Sequence, residues 1–113
     1  MELKIKNSPN TNARRQIQNT TQRFLKNNFV NPDSIVNVYF VSQSKIRDLN
    51  KKYRQIDKPT DVLSFPIWPK KSEIPKKGKI ILGDIFLFLK PDQQENIAYL
   101  VEHSLNHLIG KHH

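Results

Sequence analysis

The chain has 113 residues, and 19 Lys and Arg against 10 Asp and Glu give it a formal charge of +9. This length suits one small domain with one core, and the charge favours a polyanionic partner. The chain has no Cys, which excludes disulfides and every thiolate site. It also lacks both the apolar run of roughly 18–20 residues that spans a bilayer and the apolar segment of a signal peptide. We therefore expect a single cytoplasmic domain over residues 1–113 with no membrane partner.

The chain opens with strand and helix patterns in turn. Alternating apolar and charged residues in Leu3–Lys6 predict a short strand. Ser8 and Pro9 predict a helix start, with Ser8 as the cap and Pro9 in the first helical position. The basic amphipathic pattern that follows continues to about Asn28. The β-branched and aromatic run Ser34–Val41 then predicts a second strand.

The middle of the chain predicts another helix, two more strands and a basic loop. Ser42 is the expected cap of a helix that runs to about Tyr53. A short strand follows at Asp61–Phe65. Pro69–Lys79 contains five Lys, two Pro and one Gly, which predicts an exposed, mobile loop. Ile80–Leu89 is the most apolar stretch and predicts a central strand.

Gly and Asp residues mark special positions near the end of this pattern. Gly83 interrupts the last strand and predicts a bulge or a close backbone approach. Asp84, like the earlier Asp61, is interpreted as a turn-capping or sheet-end residue that accepts from backbone N–H groups. Pro91 opens a last helix that ends at Gly110. The order β-α-β-α-β-β-α indicates an α/β domain with a mixed sheet and helices packed on it.

Three of the four histidines lie in the last seven residues of the chain. His103 and His107 are one helical turn apart, at roughly 140° from the apolar stripe, and His113 follows the helix stop. The pattern H-x3-H-x5-H can hold a Zn²⁺ ion and leave one position open for water. Ordinary surface histidines or part of a tag are the alternatives. A zinc protease is disfavoured because Ser104 occupies the place of its catalytic Glu.

Three segments together resemble the YbeY family of bacterial metal-dependent endoribonucleases. They are NKKYRQIDKPTDVLSFP at 50–66, LGDI at 82–85 and the triple-histidine signature itself. The resemblance implies an α/β fold with a four-stranded mixed sheet and a zinc site formed by His103, His107 and His113. It also implies that Arg54 is the arginine of the active-site groove. The implied activity is cleavage of single-stranded RNA, in maturation of the 3′ end of 16S rRNA and in quality control of the ribosome.

The histidine signature departs from the usual family pattern H-G-x-L-H-L-x-G-Y-D-H at several positions. Ser104 and Asn106 replace its Gly and Leu, and Lys111 and His112 replace its Tyr and Asp. His112 is therefore an alternative ligand to His113, and both lie at the end of the chain. These changes leave open a non-catalytic factor that binds rRNA or the ribosome and uses its metal structurally. A metal-dependent hydrolase of another bond is the weakest alternative.

Overall fold

The computed structural model describes residues 2–90 and 96–110, and its elements follow the predicted order β-α-β-α-β-β-α. The strands are β1 (Glu2–Lys6), β2 (Ser34–Phe40), β3 (Val62–Pro66) and β4 (Ile80–Leu87). The helices are α1 (Thr11–Asn27), α2 (Gln43–Arg54) and α3 (Ile97–Leu108). The predicted start of the last helix at Pro91 lies outside the described residues. No helix in the described ranges is long and apolar enough to cross a membrane.

The four strands form one mixed sheet in the order β1-β2-β4-β3. β1 pairs with β2 and β2 pairs with β4 in parallel, whereas β3 pairs with β4 in antiparallel fashion. This arrangement confirms the predicted α/β class and the four-stranded mixed sheet. It also places β3 at one edge of the sheet, where helices can approach it from both faces.

Buried and half-buried residues alternate along β2, and the buried ones show which face of the sheet carries the main core. Val36 and Val38 are fully buried in the cluster that α1 and α3 cover, while Asn37 and Tyr39 between them are half-buried on the other face. Successive residues of β3 likewise face opposite helices. Ser64 contacts α3, and the ring of Phe65 contacts α2. The two helices therefore flank the edge strand from opposite sides.

Gly83 combines both features that its position in a strand predicted. The β2–β4 register shifts by one residue between Ile35 and Val36, so that Leu82 is extra in β4. A Cβ on Gly83 would lie 2.6 Å from Cδ2 of Leu108 and 2.6 Å from the carbonyl oxygen of Phe65. The missing side chain thus allows the end of α3 to pack directly on β3 and β4.

The start of α1 differs from the prediction. Asn10, and not Ser8, is the N-cap, because its Oδ1 accepts a hydrogen bond of 2.8 Å from the backbone N–H of Ala13. The Ser8 hydroxyl instead donates to the carbonyl oxygen of Asn10. Pro9 therefore precedes the helix, and the first helical residue is Thr11.

Two further interpretations of the sequence are corrected. The basic loop exposes its lysines, but Ile74 is buried in the core, and Nδ2 of Asn31 donates to the carbonyl oxygens of Pro75 and Gly78. Asp84 lies inside β4 and not at a sheet end. Its Oδ1 accepts from the side chain of Asn37 directly opposite, at 3.0 Å, and so pairs with a neighbouring strand.

Candidate metal and RNA site

His107 is held between α3 and the edge strand β3. Its Nδ1 lies 2.6 Å from Oγ of Ser64, and both side chains are half-buried. This contact occupies Nδ1 and leaves Nε2 as the ring nitrogen that could bind a ligand; in that tautomer Nδ1 would carry the proton and donate to the hydroxyl oxygen, and in the other the hydroxyl would donate to Nδ1. Hydrogen bonding at the other ring nitrogen is the usual way in which proteins fix the tautomer and orientation of a histidine ligand.

The buried face of α3 is wider than its sequence indicated. Leu100 and Ser104 are buried together with the residues of the predicted apolar stripe, which are Ile97, Val101, Leu105 and Leu108. His107 consequently lies at the border of this face and contacts β3, whereas His103 is exposed. The sequence does not predict the contact of Ser64 with His107, since no local pattern reports a contact between residues 43 positions apart.

His103 lines a hollow of about 430 Å³ together with Tyr99, Glu102 and Asn106. The rings of Tyr99 and His103 are nearly parallel, with centroids 6.3 Å apart. His103 and His107 thus lie one turn apart on α3, as their spacing predicted. His113 and the alternative His112 lie outside the described residues. Within the described ranges, no three His, Cys, Asp or Glu side chains are grouped closely enough to hold a metal ion.

Arg54 is the last residue of α2, and α2 approaches β3 from the face opposite α3. The preceding Tyr53 packs edge-on against Phe65 of β3, with ring centroids 5.1 Å apart, and this contact anchors the helix end. The Arg54 side chain is exposed and forms no ion pair with another described residue. Its guanidinium can therefore meet a phosphate at the sheet edge.

The turn that follows Arg54 is fixed at both sides. Asn50 is buried, and its Nδ2 donates to the carbonyl oxygen of Lys58 at 2.8 Å. Arg47 forms an ion pair of 2.8 Å with Asp57 on the surface. The hydrogen bond from Arg47 lowers the pKa of the Asp57 carboxyl and raises the pKa of the guanidinium. The segment between α2 and β3 is thus tied back to α2.

The end of α3 reaches the start of the basic loop. Gly110 ends the helix with φ of +84°, as predicted, and its N–H donates to the carbonyl oxygen of His107. A Cβ on Gly110 would lie 3.1 Å from the carbonyl oxygen of Pro69 and 3.4 Å from Cα of Lys70. The loop that carries five exposed lysines therefore begins beside the histidine-bearing helix.

Comparison with known proteins agrees with this architecture. The family model described as Endoribonuclease YbeY matches residues 2–113. A protein named Endoribonuclease YbeY from Clostridium botulinum is 34% identical over a 114-residue alignment that covers 79% of this chain and 69% of the relative. Another of that name from Thermoanaerobacter pseudethanolicus is 38% identical over 96 residues, covering 69% of this chain and 60% of the relative.

A solved structure shares the fold. The solution structure of a Thermotoga maritima protein superposes with a TM-score of 0.60 at 22% sequence identity, covering 96% of this chain and 72% of the other. This likeness supports the arrangement of strands and helices alone. The match of the family model over nearly the whole chain establishes the relationship. The chain belongs to the YbeY endoribonuclease family.

Proposed function

We propose that the chain is a metal-dependent endoribonuclease that cleaves single-stranded RNA. The observation that carries this proposal is the hydrogen bond between Ser64 and His107. His107 lies one helical turn after His103, and the chain belongs to a family of endoribonucleases. The relatives are named endoribonucleases, which supports RNA as the substrate. Following the same resemblance, we propose the 3′ end of 16S rRNA in the cytoplasm as the target and the ribosome as the partner.

The donor set fits one zinc ion held by His103, His107 and His113. The chain has no Cys, so imidazole nitrogens and carboxylate oxygens are the ligands that it can offer to such an ion. The hydroxyl of Ser64 at Nδ1 of His107 would take the place of the carboxylate, backbone carbonyl or water that usually accepts from a histidine ligand. When bound, zinc would supply Lewis acidity and lower the pKa of a coordinated water to near neutrality.

The remaining chemistry belongs to the side chains of the chain itself. Ser64 fixes the ring of His107, because β3 is paired along β4 and cannot turn independently. Arg54 would donate two parallel N–H bonds to the scissile phosphate and stabilise the negative charge that develops on it. The exposed lysines of the basic loop would attract the RNA backbone to the end of α3, where this loop begins.

The test compares RNA cleavage by purified wild type, His107→Ala and Arg54→Ala after chelation and after zinc is restored. Lys45→Ala is the matched control for Arg54, since it removes an exposed cation from the opposite end of α2. We expect cleavage to be lost in both site variants while RNA binding persists, and to be kept in Lys45→Ala. Metal analysis should find one zinc per chain in wild type.

Two results would contradict the proposal. Cleavage at the wild-type rate by His107→Ala would place the activity elsewhere or in a contaminant. RNA binding by the zinc-loaded wild type without cleavage would identify a non-catalytic rRNA-binding factor, in which the metal only braces the end of the chain.

A further inference from the structure

Phe29 is an exposed aromatic residue at the end of α1. The residue is 92% exposed, and its backbone φ is +55°. A large apolar side chain in this left-handed region is a conformational outlier. Because the ring is almost wholly in solvent, burial in this chain's own core does not account for it.

The fold needs the left-handed backbone at this position but not the ring. The N–H of Phe29 donates to the carbonyl oxygen of Lys26, and the N–H of Val30 donates to that of Leu25. These two bonds form a Schellman motif, which usually has Gly at the left-handed residue. The accompanying apolar contact is provided by Leu25 and Val30, both of which are buried. Gly in place of Phe29 would therefore complete the same helix end with less backbone strain.

Two hollows flank the exposed ring. One, of about 390 Å³, lies between Phe29 and the basic loop and includes Lys71 and Lys76. The other, of about 410 Å³, lies along α1 and includes Lys26. No carboxylate is among the residues that line either hollow. The exposed ring of Phe29 thus has a largely apolar hollow on each side, and lysines line both hollows.

The basic loop connects this surface with the candidate site. Its first residues, Pro69 and Lys70, lie against Gly110 at the end of the histidine helix. Its later residues, Lys71 and Lys76, line the hollow beside Phe29. A polyanionic strand that follows the exposed lysines of this loop would therefore pass from the histidines to the aromatic ring.

We infer that Phe29 is a base-stacking contact for single-stranded RNA, with Lys26, Lys71 and Lys76 binding the phosphates on either side of the stacked base. The inference rests on the proposed function for its choice of RNA. An aromatic ring beside cations is the combination that single-stranded nucleic acids use, because every base has a π-face and every nucleotide a phosphate. The contact would hold the RNA substrate at a second point, away from the metal ligands.

The test measures RNA binding to the full chain in the presence of chelator, by fluorescence anisotropy of a labelled single-stranded oligonucleotide. Phe29→Gly should weaken binding about 5- to 150-fold, the range found for loss of one base–aromatic stack. Phe29→Trp should bind as tightly as wild type. Asn7→Gly is the matched control, because Asn7 also has a left-handed backbone, with φ of +62°, and is exposed. It should bind as wild type does.

An abasic oligonucleotide of the same length separates stacking from charge. It should bind wild type and Phe29→Gly equally, since both keep the three lysines. Equal binding of the normal oligonucleotide to Phe29→Gly and wild type would overturn the inference. So would a Phe29→Trp variant as weak as Phe29→Gly, or loss of self-association in Phe29→Gly with unchanged RNA affinity, which would assign the ring to a contact between copies.

Chelator makes this test independent of catalysis. If wild type binds RNA through Phe29 but never cleaves it with zinc, the proposed function fails and the stacking contact stands. If zinc-dependent cleavage is found but Phe29→Gly binds as wild type does, the stacking contact fails and the proposed function stands.

Discussion

Replacing Ser64 by Ala removes the hydroxyl that lies 2.6 Å from Nδ1 of His107 and leaves the strand itself intact. A part-buried hydrogen bond of this kind contributes about 0.5–1.5 kcal/mol to stability, a small share of the 5–15 kcal/mol typical of a domain. The fold should therefore persist. Loss of such a partner from a metal-binding histidine usually weakens metal affinity about 10- to 100-fold, or about 1.4–2.7 kcal/mol.

The assay is a zinc competition titration against a chromophoric chelator at fixed pH, with thermal unfolding measured in parallel. Ser64→Thr should restore wild-type affinity, because it keeps the hydroxyl and suits a strand. Ser104→Ala is the matched control. Ser104 is a buried Ser on α3 whose Oγ has no hydrogen-bond partner among the described residues. Its replacement should leave zinc affinity unchanged and should not lower stability.

Zinc binding by Ser64→Ala within about twofold of wild type would contradict a role of the hydroxyl in holding His107, because the expected loss is at least tenfold. The same role would be contradicted if Ser104→Ala weakened zinc binding as much as Ser64→Ala, since the effect would then follow from any change near α3. A Ser64→Thr variant that fails to recover affinity while remaining folded would also argue against a role for the hydroxyl.

Three further predictions concern the fold. Gly83→Ala should destabilise the chain by about 1–3 kcal/mol in denaturant titrations, because its Cβ would meet the backbone of β3. Phe29→Gly should instead stabilise it by about 1 kcal/mol, visible as a rise in Tm, because left-handed strain is relieved; a fall in Tm would contradict the Schellman argument. The ion pair with Arg47 lowers the pKa of the Asp57 carboxyl. The pair therefore adds stability at any pH above the ordinary carboxyl pKa, and this stability is lost as the pH falls through the lowered pKa of Asp57. Asp57→Asn should therefore be slightly less stable than wild type at neutral pH, with the gap closing in acid and in high salt; a gap that widens in acid would contradict this sign.

Much of the fold could be predicted because its signals are local. The alternation in β2 follows directly from the two-residue period of a strand, and Gly83 in an apolar run predicted both the bulge and the close approach. Where two cap residues compete, local reasoning is weaker. Ser8 and Asn10 both suit an N-cap, and the extended backbone of Asn10 decided between them.

The site was predictable only in part, for a physical reason. The spacing of His103 and His107 follows from helix geometry, and the structure places them one turn apart on α3. The contact of Ser64 with His107 depends on how α3 packs across β3, which no local pattern encodes. The burial of Ile74 in a lysine-rich loop also depends on contacts between residues distant in sequence. Asn31 holds that loop through hydrogen bonds to Pro75 and Gly78.

In the function that we propose, His107 holds a catalytic metal ion for RNA cleavage. This role is tested most directly by one measurement, the rate at which chelated and zinc-restored protein cleaves a single-stranded RNA, for wild type and His107→Ala side by side. Zinc should restore cleavage to wild type and not to His107→Ala. Equal zinc-restored rates for the two proteins would contradict it.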